Sequence, residues 1–104
     1  KVQFSRERVN PRSADEDTEF VFTVRIASLQ PVSEPVEVVI EGHPHRMSEI
    51  DPQDTNYSDG KDFEYREKFD NGPHVFFFRC SNQSTRASTF YVSHTRLIQY
   101  HPDL

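Results

Sequence analysis

The chain has 104 residues with 17 Asp and Glu against 12 Lys and Arg, which gives a net charge of −5. The length suits one domain, and the absence of a long apolar window argues against a transmembrane helix. Scattered basic residues and a negative charge argue against binding to nucleic acid or to an anionic membrane surface. The single cysteine, Cys80, excludes an internal disulfide. We expect the chain, which begins at Lys1 with no signal peptide, to be a segment of a longer protein.

The first third of the chain predicts a weak strand followed by a strong one. Val2 and Phe4 alternate with polar residues and indicate a short strand, which Asn10-Pro11 ends. Residues 13–17 predict a polar loop with three acidic side chains. Residues 18–28 are mostly β-branched or aromatic and alternate without a break, which is the pattern of a half-buried strand.

A second strand pair is predicted over residues 36–47. Residues 36–41 place three apolar side chains inward and Val39 outward. A turn at 42–44 leads into a short return over 45–47, with Met47 as its apolar anchor. A two-proline loop at 30–35 separates this pair from the preceding strand.

The second half of the chain is dominated by aromatic strands. Residues 48–60 are irregular, with Ile50 as the candidate start of an edge strand. Strands are predicted over 63–69 and 74–80, joined by the turn sequence Asp-Asn-Gly-Pro. A polar turn at 81–85 precedes the last clear strand, residues 86–93.

These elements predict an all-β fold, an immunoglobulin-like antiparallel β-sandwich of about seven strands. No segment has the three-to-four spacing of an amphipathic helix. We assign residues 1–93 to the domain and 94–104 to a C-terminal tail, a strand extension or a linker. The predicted core consists of Phe20, Phe22, Val24, Ile26, Val36, Val38, Ile40, Phe63, Tyr65, Phe76, Phe78, Cys80, Phe90 and Val92.

Several short motifs resemble one family in their order and spacing. The segments are Asp15–Val24, Val38–Gly42, Asp54–Gly60 with the following Phe-Glu-Tyr, and Gly72–Phe78. Together they resemble the immunoglobulin-like repeats of archaeal and bacterial cell-surface or secreted multidomain proteins, over roughly residues 9 to 92. Ser81-Asn82-Gln83 departs from the Asp-Gly turn that is common in that family.

The resemblance implies a non-catalytic structural or adhesive module of an extracellular or cell-surface protein. Such repeats stand in tandem, so the implied partners are neighbouring domains of the same chain, with another surface protein or a glycan as further candidates. No catalytic constellation is present in the sequence, and we expect no enzyme activity, no nucleic-acid binding and no direct membrane insertion.

An acidic loop supports an alternative function, a ligand-binding module for calcium or glycan. Asp51, Asp54, Asp59 and Asp62 lie within twelve residues, and calcium is bound by six to eight such oxygens. The order of residues does not match an EF-hand loop. The competing interpretation is a solvated turn whose side chains accept hydrogen bonds from backbone amides. We expect no other cofactor.

Two Asn-x-Ser triplets begin at Asn56 and Asn82, both in predicted loops, and are candidate glycosylation sites.

A third feature is a candidate docking face formed by Val75, Phe77 and Tyr91, which point away from the predicted core. The alternative there is cover by the tail or by a neighbouring domain.

The histidines and the cysteine give weaker signals. His43 and His45 share one side of a strand, but zinc requires three or four ligands, so surface histidines are the better interpretation. His74 is expected to be packed or hydrogen-bonded. Cys80 is expected to be a small buried hydrophobic residue. A free cysteine also fits a third hypothesis, a cytosolic partner-docking domain of an enzyme.

Overall fold

A computed structural model describes residues 1–95, which form ten β-strands and no helix. The strands lie in two sheets packed face to face, so the predicted all-β sandwich is confirmed. In chain order the strands are β1 (Gln3–Asn10), β2 (Ser13–Asp15), β3 (Phe20–Ala27), β4 (Glu37–Ile40), β5 (His43–Arg46), β6 (Ser48–Glu49), β7 (Lys61–Glu67), β8 (Gly72–Cys80), β9 (Gln83–Ser84) and β10 (Ser88–Ser93).

The smaller sheet has the antiparallel order β1-β3-β7-β6. The larger sheet has the order β2-β10-β8-β4-β5, and β9 pairs with β8. All its pairings are antiparallel except β2 with β10, which run parallel. The chain leaves the smaller sheet after Asn10 and joins the larger one at Ser13, so its first two strands lie on different layers of the sandwich.

The core between the sheets is a cluster of phenylalanine rings. Strand β3 alternates strictly between buried and half-buried residues, as predicted. The ring of Phe22 lies 5.3 Å from Phe76 and 5.3 Å from Phe90, both in edge-to-face arrangements. Such pairs contribute about 0.5–1.5 kcal/mol each beyond their buried area. The core contains a free cysteine, and aromatic packing across the two layers stabilises this core.

The predicted core is confirmed at every position except Tyr65, which is half-buried at the edge of the cluster. Its exposure is explained by its hydroxyl group, which reaches polar partners on both sheets. The core cluster contains three buried residues that the core prediction lacked: Val2, Val9 and Met47.

The first strand is longer than predicted. It continues to Asn10 because a bulge between Ser5 and Arg8 interrupts the alternation and restores pairing with β3 afterwards. Arg6 occupies this bulge with a φ of 54°. An extra residue shifts the side chains to the other face, so the two halves of β1 do not show the pattern of one alternating strand.

Three short strands also differ from the prediction. The predicted polar loop at 13–17 contains β2, which is only three residues long and is held by β10 from the other end of the chain. The edge strand expected at Ile50 lies at Ser48–Glu49 instead, and β9 was not predicted. Strands of two or three residues are too short to show a periodicity. Their hydrogen-bonding partners determine where they form.

Val39 was predicted to point outward, and it does lie outside the core cluster. It is nevertheless only 4% exposed. Its neighbours are Pro44 on one adjacent strand and Phe77 on the other.

The assignment of residues 1–93 to one domain stays a prediction, and most of the tail 94–104 lies outside the described residues. Strand β10 ends at Ser93. Among residues 1–95, no helix has the length and hydropathy needed to cross a bilayer.

Candidate functional site

The outer face of the larger sheet is defined here by Val75, Phe77 and Tyr91, and Val39 lies on it as the strand partner of Phe77. Val75 and Phe77 project from the same side of β8, opposite the core-facing Phe76. Tyr91 lies on the adjacent strand β10. Val75 is 46% exposed and Tyr91 is 52% exposed, while Phe77 is half-buried. The structure thus brings the three predicted docking residues onto one face.

Charged groups border this face. Arg79 donates to the carboxylate of Glu37 at 2.7 Å, and Arg46 is the strand partner of Glu37 on its other side. The Glu41 carboxylate accepts a hydrogen bond from the backbone N–H of Val75 at 2.6 Å. An apolar, aromatic centre with a charged border is the usual composition of a protein–protein interface.

The acidic loop has a different organisation from a calcium site. The carboxylate of Asp51 accepts the N–H of Gln53 at 3.1 Å, and that of Asp54 accepts the N–H of Asn56 at 3.0 Å. These are the side-chain turns that compete with a ligand for the same oxygens. Asp59 is exposed near the end of the loop.

Asp62 lies on strand β7 and is paired with Arg25. The guanidinium donates to both carboxylate oxygens, at 2.9 and 3.0 Å. This hydrogen bond lowers the pKa of Asp62 below its ordinary value and raises the pKa of Arg25. The Arg25 side chain packs against Gly60, where an added Cβ would lie 2.5 Å from Cδ of Arg25.

Within residues 1–95, no three His, Cys, Asp or Glu side chains are grouped closely enough to hold a metal ion. The four predicted ligands instead occupy separate turns and one ion pair. Calcium binding by Asp51, Asp54, Asp59 and Asp62 stays a prediction, and it would require the carboxylates of Asp51, Asp54 and Asp62 to leave their present partners.

A cleft of about 300 Å³ opens where the β4–β5 hairpin meets the end of β7. Here the Tyr65 hydroxyl donates to the Glu67 carboxylate at 2.6 Å and lies 3.0 Å from Nδ1 of His45. Because the hydroxyl has one proton, Nδ1 of His45 is the donor in this series of hydrogen bonds. Burial and the Glu67 carboxylate raise the pKa of Tyr65 to about 12. This contact joins the two sheets at their edges.

His74 and Cys80, which the sequence analysis also considered, have structural roles. His74 stacks on Phe90 at an interplanar angle of 19°, and its Nε2 lies 2.8 Å from the carbonyl oxygen of Asp70. Cys80 is 1% exposed, and burial raises the pKa of its thiol. A thiol in this state is a poor nucleophile, which agrees with its interpretation as a buried hydrophobic residue.

The two candidate glycosylation residues, Asn56 and Asn82, are exposed. Asn56 accepts the N–H of Ser58 at 2.9 Å and its hydroxyl at 2.7 Å through the side-chain oxygen, which leaves the amide nitrogen free of these contacts. Asn82 lies in the turn between β8 and β9 with a φ of 65°. Both positions suit a surface modification, which itself stays a prediction.

Sequence reasoning missed Leu29, which is 93% exposed and is the most exposed large apolar residue described. It follows β3 in the loop that contacts residues 55–58, where the Ser28 N–H donates to the carbonyl oxygen of Tyr57 at 2.9 Å. The sequence signal for the exposure of Leu29 was its place between two polar residues just after a strand, with Pro31 two residues later.

No known protein family and no curated protein sequence matches the chain. The function must therefore be argued from its own residues.

Proposed function

We propose that this domain is a non-catalytic structural and adhesive module of a larger extracellular or cell-surface protein. The observation that supports it best is the outer face, which carries Val75, Phe77 and Tyr91 on two adjacent strands together with Val39, the strand partner of Phe77. Exposed, clustered aromatic residues are characteristic of surfaces that bind another protein.

The more specific part of the proposal is that the sandwich belongs to the immunoglobulin-like class. The smaller sheet has the sequence order first, third, seventh, sixth strand, which parallels the A-B-E-D sheet of that class. The larger sheet places β10, β8, β4 and β5 side by side, which parallels G-F-C-C′. The resemblance of short sequence motifs to surface-protein repeats supports the same assignment.

The proposed occupant of the outer face is a folded protein surface with an apolar centre. A sheet face is broad and flat, whereas small-molecule sites are usually concave. The border contributes both an Arg79–Glu37 pair and the Glu41 carboxylate, so the partner is expected to have charges of both signs around its apolar centre. A neighbouring domain of the parent chain and a separate surface protein both meet this description.

An extracellular location is supported by the exposure of Asn56 and Asn82, which begin the two Asn-x-Ser triplets. Mass spectrometry of protein isolated from its own cells tests this directly. A glycan on either asparagine supports an extracellular location and excludes the cytosolic hypothesis. An unmodified peptide at both sites in native material, with other sequons of the parent protein glycosylated, counts against it.

The docking proposal is tested by site-specific photocrosslinking in the parent protein. A photoreactive phenylalanine analogue replaces Tyr91 in one variant and Ser5, an exposed residue of the smaller sheet, in the control. We expect Tyr91 to give one dominant crosslinked product, either to a neighbouring domain or to a separate protein. The proposal fails if Tyr91 gives no product beyond those obtained from Ser5. A crosslink to a second copy would redirect it to self-association.

A further inference from the structure

Lys61 is the one charged residue that is buried among residues 1–95, with 3% of its surface exposed. A buried ammonium group is costly unless it is paired and hydrogen-bonded. Its surroundings must therefore compensate it, and the compensating groups come from the acidic loop.

Oxygen atoms of the preceding loop surround the ammonium group. Nζ of Lys61 donates to the backbone carbonyl of Asp51 at 2.9 Å and also to that of Asp54. The Glu49 carboxylate lies 3.3 Å away, and the ring of Tyr57 lies 5.8 Å from Nζ. Two carbonyls and a carboxylate are hard oxygen ligands of the kind that calcium takes in proteins, and the aromatic ring adds a cation–π contact.

The loop therefore directs the carbonyl oxygens of Asp51 and Asp54 at Lys61, while the carboxylates of the same two residues serve other contacts. Asp51 and Asp54 use their side chains in turns, and Asp62 is paired with Arg25. This is the reverse of a calcium loop, in which carboxylates turn inward to the ion.

We propose that Lys61 is the internal cation of the loop over residues 49–60 and takes the place of a bound metal ion. The loop is then ordered by a residue of the domain itself, and its shape does not depend on the calcium concentration outside the cell. The same loop accepts the Ser28 N–H at the Tyr57 carbonyl, so Lys61 also helps to fix the end of the sandwich that presents Leu29.

The inference predicts how the backbone amides of the loop behave in the wild-type protein. Ile50, Asp54 and Gly60 donate to carbonyl oxygens of the loop or of β7. Amide NMR spectra recorded with calcium through the millimolar range, where extracellular modules bind it, should be the same as spectra with a chelator. Saturable shifts at residues 49–62 would overturn the inference, and this arm needs no variant.

Two variants test the role of the charge. Lys61→Met removes the ammonium while keeping a long side chain, and we expect hydrogen exchange at Ile50, Asp54 and Gly60 to accelerate about 10- to 100-fold, as the local opening free energy falls by the loss of charged hydrogen bonds. Amides of β8, which lies between β10 and β4 in the other sheet, should exchange at the wild-type rate if the effect is local.

Lys61→Ala leaves space for an added cation. Ethylammonium chloride should restore part of the lost protection in this variant, whereas sodium chloride at the same ionic strength should not. Unchanged loop protection in Lys61→Met, or equal rescue by both salts in Lys61→Ala, would overturn the inference. If Lys61→Met does not fold, the calcium titration of the wild-type protein still decides it.

Discussion

Gly60 is the glycine whose replacement should damage this domain most. It has a φ of +101°, and a Cβ at this position would meet Cδ of Arg25 at 2.5 Å and Cγ at 2.9 Å. These atoms lie in the middle of the side chain that pairs with both oxygens of Asp62. The alanine of a Gly60→Ala variant must therefore both adopt a disfavoured backbone conformation and displace Arg25 from its partner.

The magnitude follows from these two effects. A non-glycine residue in a sparsely populated region costs about 1–3 kcal/mol. The Arg25–Asp62 pair, whose side chains are 26% and 40% exposed, adds little to this because solvent screens it. Gly60→Ala should thus destabilise the domain by about 1–3 kcal/mol, which lowers Tm by roughly 4–8 °C for each kcal/mol in a domain near this size.

Urea unfolding of four proteins separates the two effects: wild type, Gly60→Ala, Arg25→Ala and the double variant. With the long side chain of Arg25 removed, the three nearest contacts of the new methyl group are gone, so the double variant should be more stable than the sum of the single changes by about 0.5–1 kcal/mol. Gly42→Ala is the matched control, because its φ is +82° but nothing lies within 4 Å of an added Cβ. Strict additivity in the Arg25→Ala background would refute the argument that Arg25 lies against Gly60.

Three further predictions concern titratable groups. Because Arg25 lowers the pKa of Asp62 below its ordinary 3.8, the stability gained from this carboxylate is present above that pH and is lost as the pH falls through the folded-state pKa. The stability difference between wild type and Asp62→Asn, measured in urea melts, should therefore disappear in strong acid. A difference that persists there would contradict this prediction. For Tyr65, whose pKa is raised to about 12, stability should fall as the pH rises from the ordinary value of 10.0 towards 12. The difference in tyrosinate absorbance between wild type and Tyr65→Phe reports this residue, and it should have its midpoint near pH 12. A midpoint near pH 10 would show that the hydroxyl does not donate to Glu67. Cys80 should react with a thiol reagent only as fast as the protein unfolds, so its labelling rate should rise with urea; rapid labelling without denaturant would mean that the thiol is accessible.

Much of the fold could be predicted because several of the longer strands alternate between buried and less buried residues, a pattern that is visible in the local sequence. Strand β3 is the clearest case, since its buried residues follow each other at every second position. Strand β2 is the opposite case. Its three residues are held by β10, which lies far along the chain, and no local pattern reports such a partner.

The candidate sites were predictable to a lesser degree, because they depend on which side chains meet. The strand was predicted over 63–69, whereas β7 begins at Lys61. Continuing the alternation back by two residues places Lys61 on the same side as the buried Phe63, which was an available signal for a buried ammonium group. The direction of the loop carbonyls cannot be deduced from residue types. For that reason the acidic loop suggested calcium, whereas the structure places Lys61 among its oxygens.

Strand β8 is apolar on both faces, and this has a consequence for how the outer face is positioned. Phe76 and Phe78 point into the core while Val75 and Phe77 point outward. A slip of one residue would exchange the two sets, and because both sets are apolar, hydrophobicity specifies the register less strongly here than in a strand with one polar face. The polar contacts at the border supply the missing specification.

Two contacts between β8 and the β4 region depend on the register. Arg79 reaches Glu37, its direct partner on β4, at 2.7 Å. Near the other end of the pairing, Glu41 accepts the N–H of Val75 through its carboxylate, and its own N–H donates to the Val75 carbonyl at 2.8 Å. A slip would separate both pairs and would place Arg79 on the core side. The charged border of the proposed docking surface therefore also keeps Val75 and Phe77 on the outside, so a change to Arg79 or Glu41 is expected to affect binding and register together, whereas a change to Tyr91 affects the surface alone.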